Sequence, residues 1–274
     1  MKKVQIVISL VASLAVMSGC AGTVEKPSLV AGSSFDTDSP TVLITGSNRG
    51  LGLAFARHYS AEGWNVIATA RKPEKADELN ALAASNPKVV VEQLDVTDLN
   101  RIKQLAVDYQ NQPIDVLINN AAILGDLEGQ QFGTLDYDQF ELTMAVNVYG
   151  PMAMAEAFKQ HVAASEQKKI ITLTSGLGSL TLMSKMQGMT YYRISKSGVN
   201  MGMRAIRANL KQEGIIVAIV APGMVQTQLL ADSGYRGKAL TPEESAAGLY
   251  EIINELSLDD KGKPTNVDGA VIPW

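Results

Sequence analysis

The chain has 274 residues, of which 46% are hydrophobic and 19% charged, the make-up of an ordinary globular domain. A net charge of −4, with no basic run beyond Lys2-Lys3, excludes a nucleic-acid surface as the main business of the molecule. Two histidines far apart, His58 and His161, and a single cysteine give no ligand cluster to draw, so no metal site is expected.

The N-terminus stands apart in composition. Lys2-Lys3 precedes an apolar run over residues 4–17, followed by Ser18-Gly19-Cys20-Ala21-Gly22. A basic start, a short apolar core and small residues read as an export signal rather than a spanning helix. The end of this stretch resembles a bacterial lipobox, with Met17 in place of the usual leucine. Residues 1–20 are therefore expected to be a lipoprotein-type signal peptide with Cys20 as the lipidated residue. Residues 21–39, rich in Ser, Gly, Thr, Pro and Asp, are expected to be a flexible tether. Such a chain would sit on a membrane of the bacterial envelope through acyl chains, and the lack of an Asp after Cys20 favours the outer membrane. Translation from Met17 would instead leave a cytoplasmic protein.

From residue 40 onward, short apolar β-rich runs alternate with helical stretches. The 41–45 run is a buried strand that enters Gly46-Ser47-Asn48-Arg49-Gly50-Leu51-Gly52, and 53–62 reads as a helix. Strand, glycine-rich turn and helix make the layout that cradles a pyrophosphate, because the glycines let the backbone approach and the helix start supplies amide donors. The spacing Gly-x-x-x-Gly-x-Gly differs from Gly-x-Gly-x-x-Gly, and a turn that merely packs helix on strand is the alternative. The second strand, 66–69, runs into Ala70-Arg71-Lys72 with no acid. A base there suits the 2′-phosphate of NADP, whereas an acid would suit the free hydroxyl of NAD.

The alternation goes on. A helix is expected over 74–84 and a strand over 89–93, ending at Asp95-Val96. Asp95 could reach an adenine, and Thr97 could cap the helix over 99–109. A strand over 114–118 closes in Asn119-Asn120-Ala121-Ala122. One long helical stretch is expected over 137–162 with Asn147 inside it, then a strand over 169–174 with Ser175 at its end. A helix carries Tyr192 and runs to about 213. A sixth strand over 215–220 leads to Pro222-Gly223, a helix covers 243–256, and 269–272 could be a last strand. Repeated β–α alternation predicts an α/β fold, a doubly wound parallel sheet with helices on both faces. Gly46, Arg71, Asp95, Asn119, Ser175 and Pro222 then all fall at the carboxyl ends of strands, where such sheets bind ligands.

Tyr192-Arg193-Ile194-Ser195-Lys196 is the stretch with the clearest chemistry. Residues four apart on a helix share a face, so Tyr192 and Lys196 would point into one cleft. A neighbouring ammonium favours a phenolate and would draw the tyrosine toward neutral titration, making the pair an acid or base near pH 7.

Taken jointly and in order, Thr45-Gly46-x-x-x-Gly50-x-Gly52, Asn119-Asn120-Ala121, Asn147, Ser175, Tyr192-x-x-x-Lys196 and Pro222-Gly223 resemble the short-chain dehydrogenase/reductase family. The closing Asp268-Gly269-Ala270-Val271-Ile272-Pro273-Trp274 resembles its C-factor-like and sniffer-like carbonyl reductase branch. The resemblance implies a single Rossmann domain over 40–274 and an oxidoreductase that takes NADP(H), with NAD(H) as the alternative, and a small carbonyl or alcohol substrate. It implies Tyr192 as general acid/base, Lys196 on the tyrosine and the ribose, Ser175 on the substrate oxygen and Asn147 on a relay water. It implies a nucleotide lying along Gly46, Ser47, Asn48, Arg49, Gly50, Leu51, Gly52, Arg71, Asp95, Val96, Asn119, Ala121, Tyr192, Lys196, Pro222, Gly223, Val225 and Thr227. A homo-oligomer is left open. Ser179, 13 before Tyr192, rivals Ser175 as the active serine. Ala122 replaces the usual glycine and would be strained if that position is left-handed. The loop over 180–189, with three methionines, could shape an adaptable apolar pocket. An exported chain has no evident nicotinamide supply, so a lipid-anchored signalling or binding protein on the same fold is the alternative function. An NAD-linked alcohol or hydroxysteroid dehydrogenase is another.

Overall fold

The computed structural model describes residues 35–274 apart from Met186, with Ser184 and Lys185 described by backbone alone. Met17, Cys20 and the expected signal and most of the tether lie outside the described residues. Seven strands form one sheet: β1 (Thr41–Ile44), β2 (Asn65–Ala70), β3 (Val89–Gln93), β4 (Val116–Asn119), β5 (Lys169–Leu173), β6 (Ile216–Ala221) and β7 (Thr265–Asn266). Their order is β3-β2-β1-β4-β5-β6-β7, and every pairing is parallel. The helices between them are α1 (Gly50–Ala61), α2 (Asp77–Ser85), α3 (Leu99–Asp108), α4 (Tyr137–Met144), α5 (Gly150–Ala157), α6 (Lys159–Ala163), α7 (Thr190–Leu210), α8 (Gln228–Asp232) and α9 (Pro242–Glu255). The expected doubly wound Rossmann-type sheet is the fold of this chain.

The strands read as continuous apolar runs because both faces of the sheet are covered. Successive side chains alternate between two cores. Leu43, Ile67, Leu117, Ile170 and Val217 face α3, α5 and α7, through Leu105, Met154, Val199 and Met203. Val42, Ile44, Val66, Ile118 and Val220 face α1, α2 and α9, through Phe55, Tyr59, Leu79 and Leu249. Each fully buried side chain of this size contributes about 1.5–3 kcal/mol relative to exposure. The strand order reverses between β1 and β4, and that switch point opens a crevice at their carboxyl ends.

Local chemistry fixes several boundaries. Helix α9 starts in a capping box: Thr241 Oγ1 accepts from the Glu244 N–H at 3.1 Å, and Glu244 Oε2 accepts from the Thr241 N–H at 2.8 Å. Asp98, not Thr97, caps α3, accepting from the amides of Asn100 and Arg101. Thr97 instead donates to Asp95 Oδ1 from both its amide and its hydroxyl. The stretch over 137–162 is not one regular helix. A π-helical turn, Ala145–Tyr149, separates α4 from α5, and α6 follows after Phe158. The last strand lies at Thr265–Asn266 rather than 269–272; of the latter, Val271 makes a single antiparallel bridge back to Thr265.

Candidate active site

A cleft of about 1580 Å3 lies along the carboxyl edge of the sheet. Its first wall is the turn after β1, and Asn120 shapes that turn. The Asn120 Nδ2 donates to the carbonyls of Thr45 and Gly46 at 2.9 and 3.0 Å, while Thr45 Oγ1 accepts the amides of Asn120 and Ala121, both at 3.0 Å. Gly52 leaves no room for a side chain: a Cβ there would overlap the Gly46 carbonyl oxygen and stand 2.6 Å from Asn120 Nδ2. Helix α1 begins with no side-chain cap and no acid in its first turn, so its opening amides are free to meet an anion.

Four arginines line the cleft: Arg49, Arg57, Arg71 and Arg236. Arg57 is matched by carboxylates, with Glu78 at 2.6 Å and Glu243 at 3.9 Å. Arg49 and Arg71 also line the cleft, and neither makes an ion pair among the described residues. Asp95 and Val96 line it as well, as do Pro222, Gly223, Val225 and Thr227, the last lying against Gly50. Thr227 Oγ1 caps the short helix α8 by accepting from the Leu230 amide at 3.3 Å.

Tyr192 and Lys196 stand one turn apart on α7, both buried and both lining the cleft. Lys196 Nζ donates to the Leu173 carbonyl at 3.0 Å and lies 5.6 Å from the centre of the Tyr192 ring. Burial pushes the Tyr192 hydroxyl up to about 12, with a hydrogen bond to Ser175 pulling the other way. The same burial draws the Lys196 ammonium down to about 8. This departs from the expectation that the lysine brings the tyrosine toward neutrality. Both groups are buried, and burial is the main cause of both shifts.

Ser175 ends β5 and opens a 3-10 turn, Gly176–Gly178, accepting from the Leu177 amide at 3.2 Å. Gly178 lets this turn press on α7: a Cβ there would come within 2.8 Å of the Lys196 carbonyl carbon. Ser175 is thereby held next to Tyr192. Ser179 is buried outside the cleft lining and accepts from the Leu182 amide at 3.2 Å. Of the two serines, Ser175 is the one the fold brings to the tyrosine.

Three residues expected at the ligand do not line the cleft. The Ser47 hydroxyl is fully buried and donates to the Ile44 carbonyl at 3.0 Å. Asn119 points beneath the cleft, its Nδ2 3.3 Å from Thr172 Oγ1 and 3.4 Å from the Pro151 carbonyl. Asn147 sits in the π-helical turn, 1% exposed. It exchanges hydrogen bonds with the backbone of Ile123, both at 2.9 Å, and donates to Ser195 Oγ at 2.9 Å. Asn147 therefore ties the wall at Ile123 to the helix bearing Tyr192 and Lys196, rather than lining the cleft itself. Ala122 is not left-handed; the only non-glycine residues with positive φ among those described are Lys168 and Met189, so the replacement of glycine adds no backbone strain.

Of the other lining residues, Leu182 and Met189 come from the 180–189 loop expected to shape an apolar pocket, while Leu177, Met224 and Leu229 had no recognisable signal. Leu177, Leu182, Met189, Met224 and Leu229 give the cleft apolar surface, and residues 270–273 close one side of it. Trp274 anchors that closing segment. Its carbonyl accepts from the Thr181 amide at 2.9 Å and from the Thr181 hydroxyl, and its ring lies 4.8 Å from the Arg204 guanidinium.

With this geometry in hand, likeness to known proteins becomes informative. The short chain dehydrogenase family model matches residues 40–236. The chain belongs to the short-chain dehydrogenase/reductase family of oxidoreductases. It is 31% identical to the 1-hydroxy-2-glutathionyl-2-methyl-3-butene dehydrogenase of Rhodococcus sp. (strain AD45), over 85% of this chain and 99% of that protein. Among solved structures it resembles the NADPH-bound carbonyl reductase from chicken fatty liver, with a TM-score of 0.79, 29% identity and coverage of 86% and 99% of the two chains. It also resembles the carbonyl reductase Sniffer of D. melanogaster, with a TM-score of 0.78, 25% identity and coverage of 86% and 100%.

Proposed function

We propose that this short-chain dehydrogenase/reductase reduces a small carbonyl compound to an alcohol, prefers NADPH, and uses Tyr192 as the proton donor. The observation that carries the reading is the meeting of Tyr192, Ser175 and Lys196 at one end of the cleft whose other end holds the Gly46–Gly52 turn. Its likeness to the NADPH-bound chicken carbonyl reductase supports the same choice.

The residues present fit a dinucleotide. The uncapped start of α1 suits a pyrophosphate, and Arg49 and Arg71, without an ion pair among the described residues, suit a 2′-phosphate. Reduced nicotinamide, when bound, supplies a hydride for the carbonyl carbon. The chain supplies the rest. Ser175 is positioned to hydrogen-bond the carbonyl oxygen and to steady negative charge developing there. The raised Tyr192 pKa keeps its proton in place throughout the neutral range. An alkoxide is a stronger base than a tyrosinate, so transfer of that proton from Tyr192 Oη to the substrate oxygen runs downhill. The apolar lining from Leu177, Leu182, Met189 and Met224 excludes water and favours apolar carbonyl substrates.

The test is NADPH consumption with a panel of aldehydes, ketones and quinones. Turnover that falls at least about 10²-fold in Tyr192→Phe with NADPH binding retained supports the reading. Nucleotide binding without turnover on any of the panel would favour a binding protein instead. On the sequence around Cys20 alone, we also propose that the mature chain is lipid-anchored. Mass spectrometry of the native N-terminus decides this, and an unmodified terminus at or before Met17 would overturn it.

A further inference from the structure

Helix α7 carries the proton donor, yet it has no local cap. Its N-cap position is Met189, in the left-handed region at φ 55°, and Met189 makes no side-chain cap bond. The first intrahelical bond runs from the Arg193 amide to the Met189 carbonyl at 2.9 Å. The Tyr192 amide therefore has no acceptor within the helix, as holds for the opening amides of any helix. It finds one 62 residues away in sequence: Gln130 Oε1 accepts it at 2.9 Å. The Gln130 side chain is fully buried. Its Nε2 donates to the carbonyls of Leu124 and Asp126 at 2.9 and 3.0 Å. One carboxamide thus joins the Tyr192 backbone to the Leu124 segment, which lines the cleft.

We propose that Gln130 is a positioning residue for the proton donor: it caps α7 at Tyr192 and locks that turn to the cleft wall at residues 124–126. Gln130 does not line the cleft, so it acts through Tyr192 rather than on a ligand. The inference rests on the proposed reductase activity for its kinetic readout, and on hydrogen bonding alone for its structural one. Misplacing a reacting group by about 1 Å costs on the order of 10²-fold in rate, so a slack Tyr192 turn is expected to lower kcat and leave nucleotide affinity alone.

Two substitutions in the full chain test it. Gln130→Met keeps the volume and removes all three hydrogen bonds. Gln130→Glu, when protonated, can still accept from Tyr192 and donate to one carbonyl; when ionised, it faces two carbonyl oxygens with a negative charge. Gln130→Met should lower kcat by roughly 10–100-fold with the Kd for NADPH within about twofold. Gln130→Glu should keep most of kcat at acidic pH and lose it as pH rises through the carboxyl pKa, a dependence absent from the parent and from Gln130→Met. Amide exchange followed by NMR should show the Tyr192 N–H protected in the parent and released in Gln130→Met. That measurement needs no turnover, so it still decides the matter if no carbonyl compound is reduced. A Tyr192 amide equally protected in Gln130→Met, or a kcat within twofold of the parent, would overturn the proposal.

Discussion

The Lys196 ammonium nitrogen stands 5.6 Å from the centre of the Tyr192 ring, and its hydrogen bond goes to the Leu173 carbonyl at 3.0 Å. The lysine is thus held by β5 and leans along the tyrosine, one turn below it on α7. Tyr191, the preceding residue, faces away: its ring packs edge-on against Phe140 at 5.2 Å, and its buried hydroxyl has no partner. This geometry sets a sharp contrast between neighbours. Tyr192→Phe is expected to lower carbonyl reduction by roughly 10²–10⁴-fold with the fold and NADPH binding intact. Tyr191→Phe removes only an unpartnered hydroxyl and is expected to leave kcat unchanged, with equal or slightly higher stability. Steady-state rates and urea melts of the two variants check both statements, and loss of activity in Tyr191→Phe would mean the helix register is wrong.

The two buried groups also predict how stability varies with pH. The folded-state pKa of Lys196 is about 8, against its ordinary 10.5, so between those values the unfolded chain holds a proton that the folded chain has released. Stability therefore rises with pH across that window, and the penalty for burying the charge is fully present below it. For Tyr192 the folded value is about 12 against 10.0, so the folded chain keeps a proton that the unfolded chain loses, and stability falls as pH rises from 10.0 to 12. The stability of Lys196→Met relative to the parent should fall by on the order of 3 kcal/mol between pH 7 and about pH 10.5, whatever the constant cost of leaving the Leu173 carbonyl without its donor. Urea denaturation of parent and variant at a series of pH values isolates this one group. A difference that is flat from pH 7 to 10.5 would show that the lysine is charged or hydrated throughout.

On the proposed reading, cofactor choice rests on arginines that line the cleft. Arg57 is matched by Glu78 and Glu243, whereas Arg49 and Arg71 have no carboxylate partner among the described residues. A charge-assisted bond to a 2′-phosphate is about twice as strong as a neutral one, so Arg71→Ala should erase most of the preference for NADPH over NADH. The Arg49→Ala/Arg71→Ala pair should erase the remainder, while affinity for NADH changes little. Fluorescence titration with both nucleotides measures this. Equal affinities in the parent chain would remove the assignment.

How much of this was legible in sequence depends on how far apart the interacting residues lie. Val42-Leu43-Ile44 and Ile216–Ala221 announce themselves as strands because a sheet covered on both faces needs unbroken apolar runs. Tyr192 and Lys196 are legible because helical spacing alone brings them together. Asn119 and Asn120 are adjacent, and only the pleat of β4 decides that Asn120 turns to the glycine loop while Asn119 turns beneath it. The π-helical turn at Asn147 has no compositional mark, so the register slip that points its amide at Ile123 and Ser195 is invisible until the helices pack. Thr97 and Asp98 are adjacent candidates for the cap of α3, and backbone geometry gives it to Asp98 while Thr97 bonds to Asp95. Gln130 is the extreme case, a loop glutamine with nothing local to distinguish it and its decisive partner 62 residues away.

The two serines after β5 give the last expectation. Ser175 lines the cleft beside Tyr192; Ser179 is buried and accepts from the Leu182 amide at 3.2 Å. Removing one donor to a developing oxyanion costs on the order of 10²–10³-fold in kcat, which is the loss expected for Ser175→Ala. Ser179→Ala should act differently. It frees the Leu182 amide and loosens the 3-10 turn Thr181–Lys185, which Thr181 joins to the Trp274 carbonyl. Leu182 and residues 270–273 line the cleft, so the slack falls on substrate binding. KM for bulky carbonyl compounds should rise severalfold while kcat for a small aldehyde stays near that of the parent, because a distant apolar wall contributes little to holding a small substrate. Measuring kcat and KM for one small and one bulky substrate in both variants separates the roles. A collapse of kcat in Ser179→Ala with Ser175→Ala still active would transfer the oxyanion role to Ser179 and require the 180–189 loop to rearrange when substrate binds.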